Sequence, residues 1–214
     1  MIRFGKRDQL FAISLSALAG YVDAIGFISA GGFFVSFMSG NSTRLAVGLV
    51  YGTPSAAIAA GLIGCFLLGV MLGTWTNEWS GGRSRVILLL VALLLATASL
   101  SDRLGFSEAG IFIAAAAMGA ENAVFARVGD VHIGLTYMTG TLVKLAQRLA
   151  YALMGRPSAG WAPFLMLWMG LVSGAVVGAL VFKAFGVSGL APAAIAAALL
   201  AIYQPQSLHP PRSD

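Results

Sequence analysis

The sequence predicts an all-α integral membrane protein made of two repeats of about 100 residues, and three observations carry that reading. The first is composition. Of 214 residues 58% are hydrophobic and 10% charged, with mean hydropathy +0.87, whereas a soluble domain carries about 25% charged residues. The second is that long intervals hold no charge at all: 45–77, 86–101, 157–182 and 184–211. A helix needs about 20 mainly apolar residues to cross the hydrocarbon core. The third is a polar signature that occurs twice. Residues 36–45 read Ser-Phe-Met-Ser-Gly-Asn-Ser-Thr-Arg-Leu, and 136–145 read Thr-Tyr-Met-Thr-Gly-Thr-Leu-Val-Lys-Leu.

Taken in order, 1–9 is a short basic arm (Arg3, Lys6, Arg7), placed in the cytoplasm by the positive-inside rule. Residues 10–28 form the first helix, retained rather than cleaved because polar breaks and Asp23 interrupt it and no Ala-x-Ala site follows. Ser-Ala-Gly-Gly at 29–32 ends it. Beyond Gly40, Asn41, Ser42 and Thr43 are N-cap residues, so a short helix is expected over 42–51, closed by Gly52 and Pro54. Helices then follow at 55–75 and 85–100, with polar links at 76–84 and 101–107.

The second half repeats this order: a helix at 108–125, a polar break at 127–133, the signature with its helix at 134–153, then helices at 159–185 and 190–203. The domain reading is therefore 1–104, 105–204 and a proline-bearing tail, 205–214, expected to be disordered. The matches extend beyond the signature. Gly20-x-x-Asp23-Ala24 answers Gly119-x-x-Asn122-Ala123, and Gly69-x-x-x-Gly73 answers Gly174-x-x-x-Gly178. Such small-residue runs bring helices close, either within the chain or as the seam of a homodimer.

Cation placement bears on whether the halves are inverted. If each signature segment enters the membrane and returns, six helices cross and only Arg103 and Lys183 lie outside, against eight loop cations inside. With eight full crossings the split is six inside against four outside. The positive-inside rule favours six crossings, two re-entrant half-helices and inverted repeats. The same topology explains the net charge of +5 better than a nucleic-acid partner does. The single cysteine, Cys65, excludes an internal disulfide and argues against a thiolate metal site.

The runs Gly-Tyr-Val-Asp-Ala-Ile-Gly-Phe from Gly20, Ser-Phe-Met-Ser-Gly-Asn-Ser-Thr-Arg-Leu from Ser36 and Gly-Ala-Glu-Asn-Ala from Gly119 resemble the YoaK-like bacterial membrane proteins. The resemblance covers nearly the whole chain. It implies a bacterial inner-membrane protein with about six spans and supplies no substrate, reaction or cofactor. Where many members have Met-Thr-Gly-Asn this chain has Met38-Ser39-Gly40-Asn41, which keeps the hydroxyl.

Function must then come from the polar residues. Ionisable groups inside membrane helices cost about 2.5–3.5 kcal/mol each on insertion scales and point to function. Four qualify: Asp23 and Glu121 near the ends of the first helix of each half, and Arg44 and Lys144 after the signatures. They either close into two structural ion pairs or line a cavity, the acids coupling to protons or cations and the bases drawing in an anion. Gly40 and Gly140 are expected to break the helix at membrane depth, so that restarted helix N-termini, with Ser39, Asn41, Asn122 and Thr139, form a site for a small molecule or ion. Gly48, one turn beyond Arg44, is expected to tolerate a side chain better than Gly40. No paired histidines, Cys-x-x-Cys, Gly-x-Ser-x-Gly or phosphate loop occurs, so no enzyme, cofactor or metal is expected. The leading expectation is a small transporter or permease in contact with lipid, with no nucleic-acid partner. A non-transporting scaffold that stabilises a partner is the alternative.

Overall fold

The computed structural model describes residues 5–127, 130–131, 138–156 and 160–203. Among these the chain is helical apart from a two-residue antiparallel pairing of Ala126–Arg127 with Asp130–Val131. The helices are α1 (Lys6–Ser29), α2 (Met38–Tyr51), α3 (Ser55–Trp79), α4 (Ser84–Arg103), α5 (Ser107–Glu121), α6 (Met138–Leu153), α7 (Ala162–Phe185) and α8 (Leu190–Tyr203). Four stretches are long and apolar enough to cross a membrane: α1, α3, α4 and the 42-residue run Ala162–Tyr203. That last run is not one rod. Gly186 at φ +60° and the 3-10 turn Gly186–Gly189 separate α7 from α8.

Two boundaries differ from the sequence reading. The second helix starts at Met38 rather than about Ser42, because the break sits at Gly31 and Gly32 (φ +64° and +95°) and not at Gly40. Ser42 and Thr43 do not cap the helix; their hydroxyls donate back to the Met38 and Ser39 carbonyls, as such residues do inside helices. The fifth helix ends at Glu121 and continues as the 3-10 turn Asn122–Phe125. The tail 205–214 and much of the 127–133 break lie outside the described residues.

Two helix pairs hold the bundle together, both built on glycine. A Cβ at Gly69 would overlap the Ala116 carbonyl, and one at Gly73 would come within 2.8 Å of the Ala120 oxygen, so α3 lies backbone to backbone on α5. A Cβ at Gly174 would overlap the Ala17 carbonyl and one at Gly178 the Tyr21 carbonyl, which seats α7 on α1 in the same way. From the other side, Gly119 meets Phe66 and Gly20 meets Leu171. In each pair residue numbers rise together, so α3 runs parallel to α5 and α7 parallel to α1. Both Gly-x-x-x-Gly faces are therefore occupied inside the chain and are not free to carry a homodimer.

The ends of α4 and α7 meet at one side of the bundle. Asp102 accepts from the backbone N–H and the hydroxyl of Ser188 at 2.8 and 2.6 Å, and from Ser107 Oγ at 2.6 Å. Ser99 Oγ donates to the Ser188 carbonyl, and Tyr21 Oη donates to the Gly189 carbonyl. At the opposite end of α4, Ser84 Oγ donates to the Val124 carbonyl, so α4 runs antiparallel to α5. The core between these helices is small and aliphatic (Ala12, Ala19, Leu15, Leu88, Ala115, Met118, Ala197), while Leu67, Leu68, Met71, Val176 and Leu180 face outward. In a bilayer an apolar exterior faces lipid, so close packing of small residues, not dryness, distinguishes inside from outside.

Candidate functional site

The two signature helices differ from the rest in being short and lightly covered. Of the 14 residues of α2 only Asn41 and Gly48 are buried, and α2 packs chiefly on α3. In α6 the buried residues are Met138, Thr141 and Leu145, and its described packing partner is α7. Their N-terminal turns come together. Ser36, Phe37, Met38 and Ser39 from the first signature and Met138 and Thr139 from the second line one cavity of about 430 Å³. Phe66, midway along the 25-residue α3, completes the wall and places the cavity level with the middle of that helix.

The approach to this cavity is built by residues 30–37, which fold back from the end of α1. Val35 lies against Gly26, where a Cβ would come within 2.5 Å of the Val35 side chain. Asp23 Oδ1 accepts from the Val35 and Ser36 backbone N–H groups at 2.8 and 2.9 Å. Asn41, fully buried, donates to the Phe34 carbonyl at 2.6 Å and accepts from the Phe34 N–H at 3.1 Å. The N-cap of α2 is Phe37, which has no side-chain cap bond, so no cap side chain occupies the first-turn N–H groups.

The remaining expected site residues fall elsewhere. Gly40 sits in the first turn of α2, where a Cβ would come within 2.8 Å of the Phe37 ring and 3.1 Å of the Phe34 ring. Gly140 lies at the matching place in the first turn of α6, half-buried. The Arg44 guanidinium lies 4.8 Å over the Phe33 ring, a cation–π contact that holds it on the Gly31–Gly32 side and away from the cavity lining. Lys144 is exposed. Asn122 Nδ2 donates to the Met118 carbonyl at 2.9 Å. Glu121 is fully buried, and both its carboxyl oxygens are without a hydrogen-bond partner among the described residues. Neither acid therefore closes an ion pair with Arg44 or Lys144 among those residues. Thr136 and Tyr137 lie outside the described residues.

Two features were not read from the sequence. Phe66 and the two methionines are cavity walls, yet an apolar residue in an apolar run carries no signal of its place. Gly48 is tighter than Gly40: a Cβ there would come within 2.7 Å of the Ala56 backbone nitrogen, and backbone cannot swing aside as a phenylalanine ring can. The expected order of tolerance at these two glycines is thus reversed.

Residues 11–203 match the family described as "Protein of unknown function (DUF1275)". The chain belongs to this family. Among its relatives, "UPF0700 transmembrane protein RA0705" of Rhizobium meliloti (strain 1021) is 37% identical over 192 residues, covering 87% of this chain and 81% of that one. "UPF0700 transmembrane protein YoaK" of Bacillus subtilis (strain 168) is 27% identical over 154 residues, 67% of this chain and 68% of that one. The YoaK-like resemblance read from the signatures is thereby shown, and this DUF1275 chain is a membrane protein. No solved structure matches it.

Proposed function

We propose that this chain is a small permease or secondary transporter of the bacterial inner membrane, with its solute site between the N-terminal ends of α2 and α6. The observation that carries the reading is that two copies of one polar signature, a hundred residues apart, line a single cavity of about 430 Å³ beside the midpoint of α3. Inverted repeats with broken helices meeting near the midplane are the arrangement in which many transporters hold solute, half-helix N-termini facing anionic groups. Duplication is supported by the glycine pairing, since the first helix of each half lies on the third helix of the other at equivalent offsets (Gly20 on Leu171, Gly119 on Phe66). Six crossings are supported by the loop cations, eight of which then lie on the side of the N-terminus against Arg103 and Lys183 on the other.

The solute is a small anion or a small polar molecule. The residues lining the cavity carry hydroxyls, aromatic rings and thioethers but no formal charge, so charge selection falls to the helix N-termini. Glu121, buried without a described partner, is the group suited to exchanging a proton with the site. A scaffold would be expected to lock its acids and bases into closed pairs, and neither intramembrane acid is paired in that way among the described residues.

The test uses thiol chemistry and needs no known solute. In a Cys65→Ala background, Ser39→Cys and Thr139→Cys are expected to react with a small water-soluble maleimide at least tenfold faster than Leu68→Cys, which faces outward. Equal, slow labelling at all three positions would sink the central-cavity reading. Topology is checked separately. Reporter tags placed after Ser80 and near Arg127 are both expected on the side of the N-terminus, and a tag on the opposite side at either place would favour eight crossings.

A further inference from the structure

Beside the cavity, between α1 and α2, the chain is not helix but the irregular stretch 34–36, and irregular backbone at membrane depth must have its polar groups satisfied by protein or by water. Two side chains do this. Asp23 receives the Val35 and Ser36 N–H groups at Oδ1 (2.8 and 2.9 Å). Asn41 reaches back from the first turn of α2 and takes both polar groups of Phe34, accepting from its N–H at 3.1 Å and donating to its carbonyl at 2.6 Å. Between them, three consecutive residues are gripped from α1 and α2. Ser36, the last of these, lines the cavity, and neither Asp23 nor Asn41 does.

We propose that Asp23 and Asn41 are positioning residues of the solute site, clasping Phe34–Ser36 into the cavity wall, with Asp23 acting as a fixed acceptor and not as a proton carrier. The inference rests on the cavity being the site. Its chemistry lies in the sense of the hydrogen bonds. Both bonds to Asp23 are donated to it at one oxygen, Oδ1, so the place calls for an acceptor and for no proton of its own. Asn41 differs in needing both its donor and its acceptor, so neither aspartate nor leucine can replace it.

A coupling carboxylate and a clasp respond oppositely to the conservative substitution. Asp23→Asn keeps an Oδ1 that can accept both N–H groups but cannot carry a proton between sides. In the full chain with Cys65→Ala and Ser39→Cys, Asp23→Asn is expected to leave maleimide reactivity within twofold of the parent. Asp23→Ala and Asn41→Ala are expected to change it at least tenfold, with gel-filtration profiles unaltered. Hydrogen exchange at the Val35 and Ser36 amides should rise at least tenfold in Asp23→Ala and not in Asp23→Asn. If Asp23→Ala does not fold, Asn41→Ala read at the Phe34 amide makes the same comparison. Asp23→Asn behaving like Asp23→Ala, or neither alanine variant moving the exchange, overturns the clasp. A parent whose Ser39→Cys resists the reagent overturns the solute-site reading instead, while amide exchange still decides whether the clasp exists.

Discussion

Gly174→Leu and Gly69→Leu are each expected to leave almost no folded protein. At both positions the added Cβ would sit inside the space of a carbonyl group on the facing helix, Ala17 in one case and Ala116 in the other. A side-chain neighbour can change rotamer, but a helix backbone cannot yield without moving the helix. Ordinary overpacking costs about 1–3 kcal/mol; here the helices must separate along α1 and α7 or along α3 and α5, and the loss should exceed that range. Detergent-extracted yield on gel filtration is expected to fall at least tenfold for both. Gly64→Leu supplies the control on α3 itself, because nothing lies within 4 Å of a Cβ there, and its yield should match the parent. A Gly174→Leu protein with parental yield and melting temperature would mean that these helices are not in backbone contact.

Glu121→Gln is expected to fold as well as the parent or better and to lose any response of solute uptake to a proton gradient. Burying a polar group without a hydrogen bond destabilises a fold, and Glu121 is fully buried with both carboxyl oxygens unpartnered among the described residues. Glu121→Leu, which removes the polar group altogether, should therefore raise stability by about 1–3 kcal/mol. Glu121→Gln leaves an unpartnered amide in the same place and should stay close to the parent. Thermal unfolding in detergent measures the first half of this expectation, and uptake into vesicles with and without an imposed pH gradient measures the second. A Glu121→Gln protein that is markedly less stable than the parent would show that the acid supports a buried base, and the coupling role would be withdrawn.

The element order was legible because, in a chain with so few polar residues, each cluster of them marks an end. The glycine pairs at 31–32, 81–82 and 186–189 and the caps around them bound helices close to where the sequence placed them. The signature repeat was legible for the same reason, since Ser39-Gly40 and Thr139-Gly140 stand out against apolar surroundings. Where reading failed, the missing information was spatial. The start of α2 moved four residues earlier because Asn41 reaches back to Phe34 and lets Met38–Asn41 form the first turn, a contact that local propensity does not reveal. Spacing along the chain makes Gly48 more tolerant of a side chain than Gly40, yet Ala56 approaches it from the next helix.

By itself the sequence determined that this is a helical membrane protein of the DUF1275 family, with two polar signatures in corresponding places and an acid near the end of the first helix of each half. Those properties follow from composition and spacing along one dimension. Only the tertiary structure decided that Gly69, Gly73, Gly174 and Gly178 join helices of the same chain, that Ser39 and Thr139 face one cavity, and that Asp23 holds backbone while Glu121 is buried without a described partner. A carboxylate's role depends on which donors lie within about 3 Å of it. Here those donors come from a segment that folds back across the end of α1, and no spacing along the chain records that return.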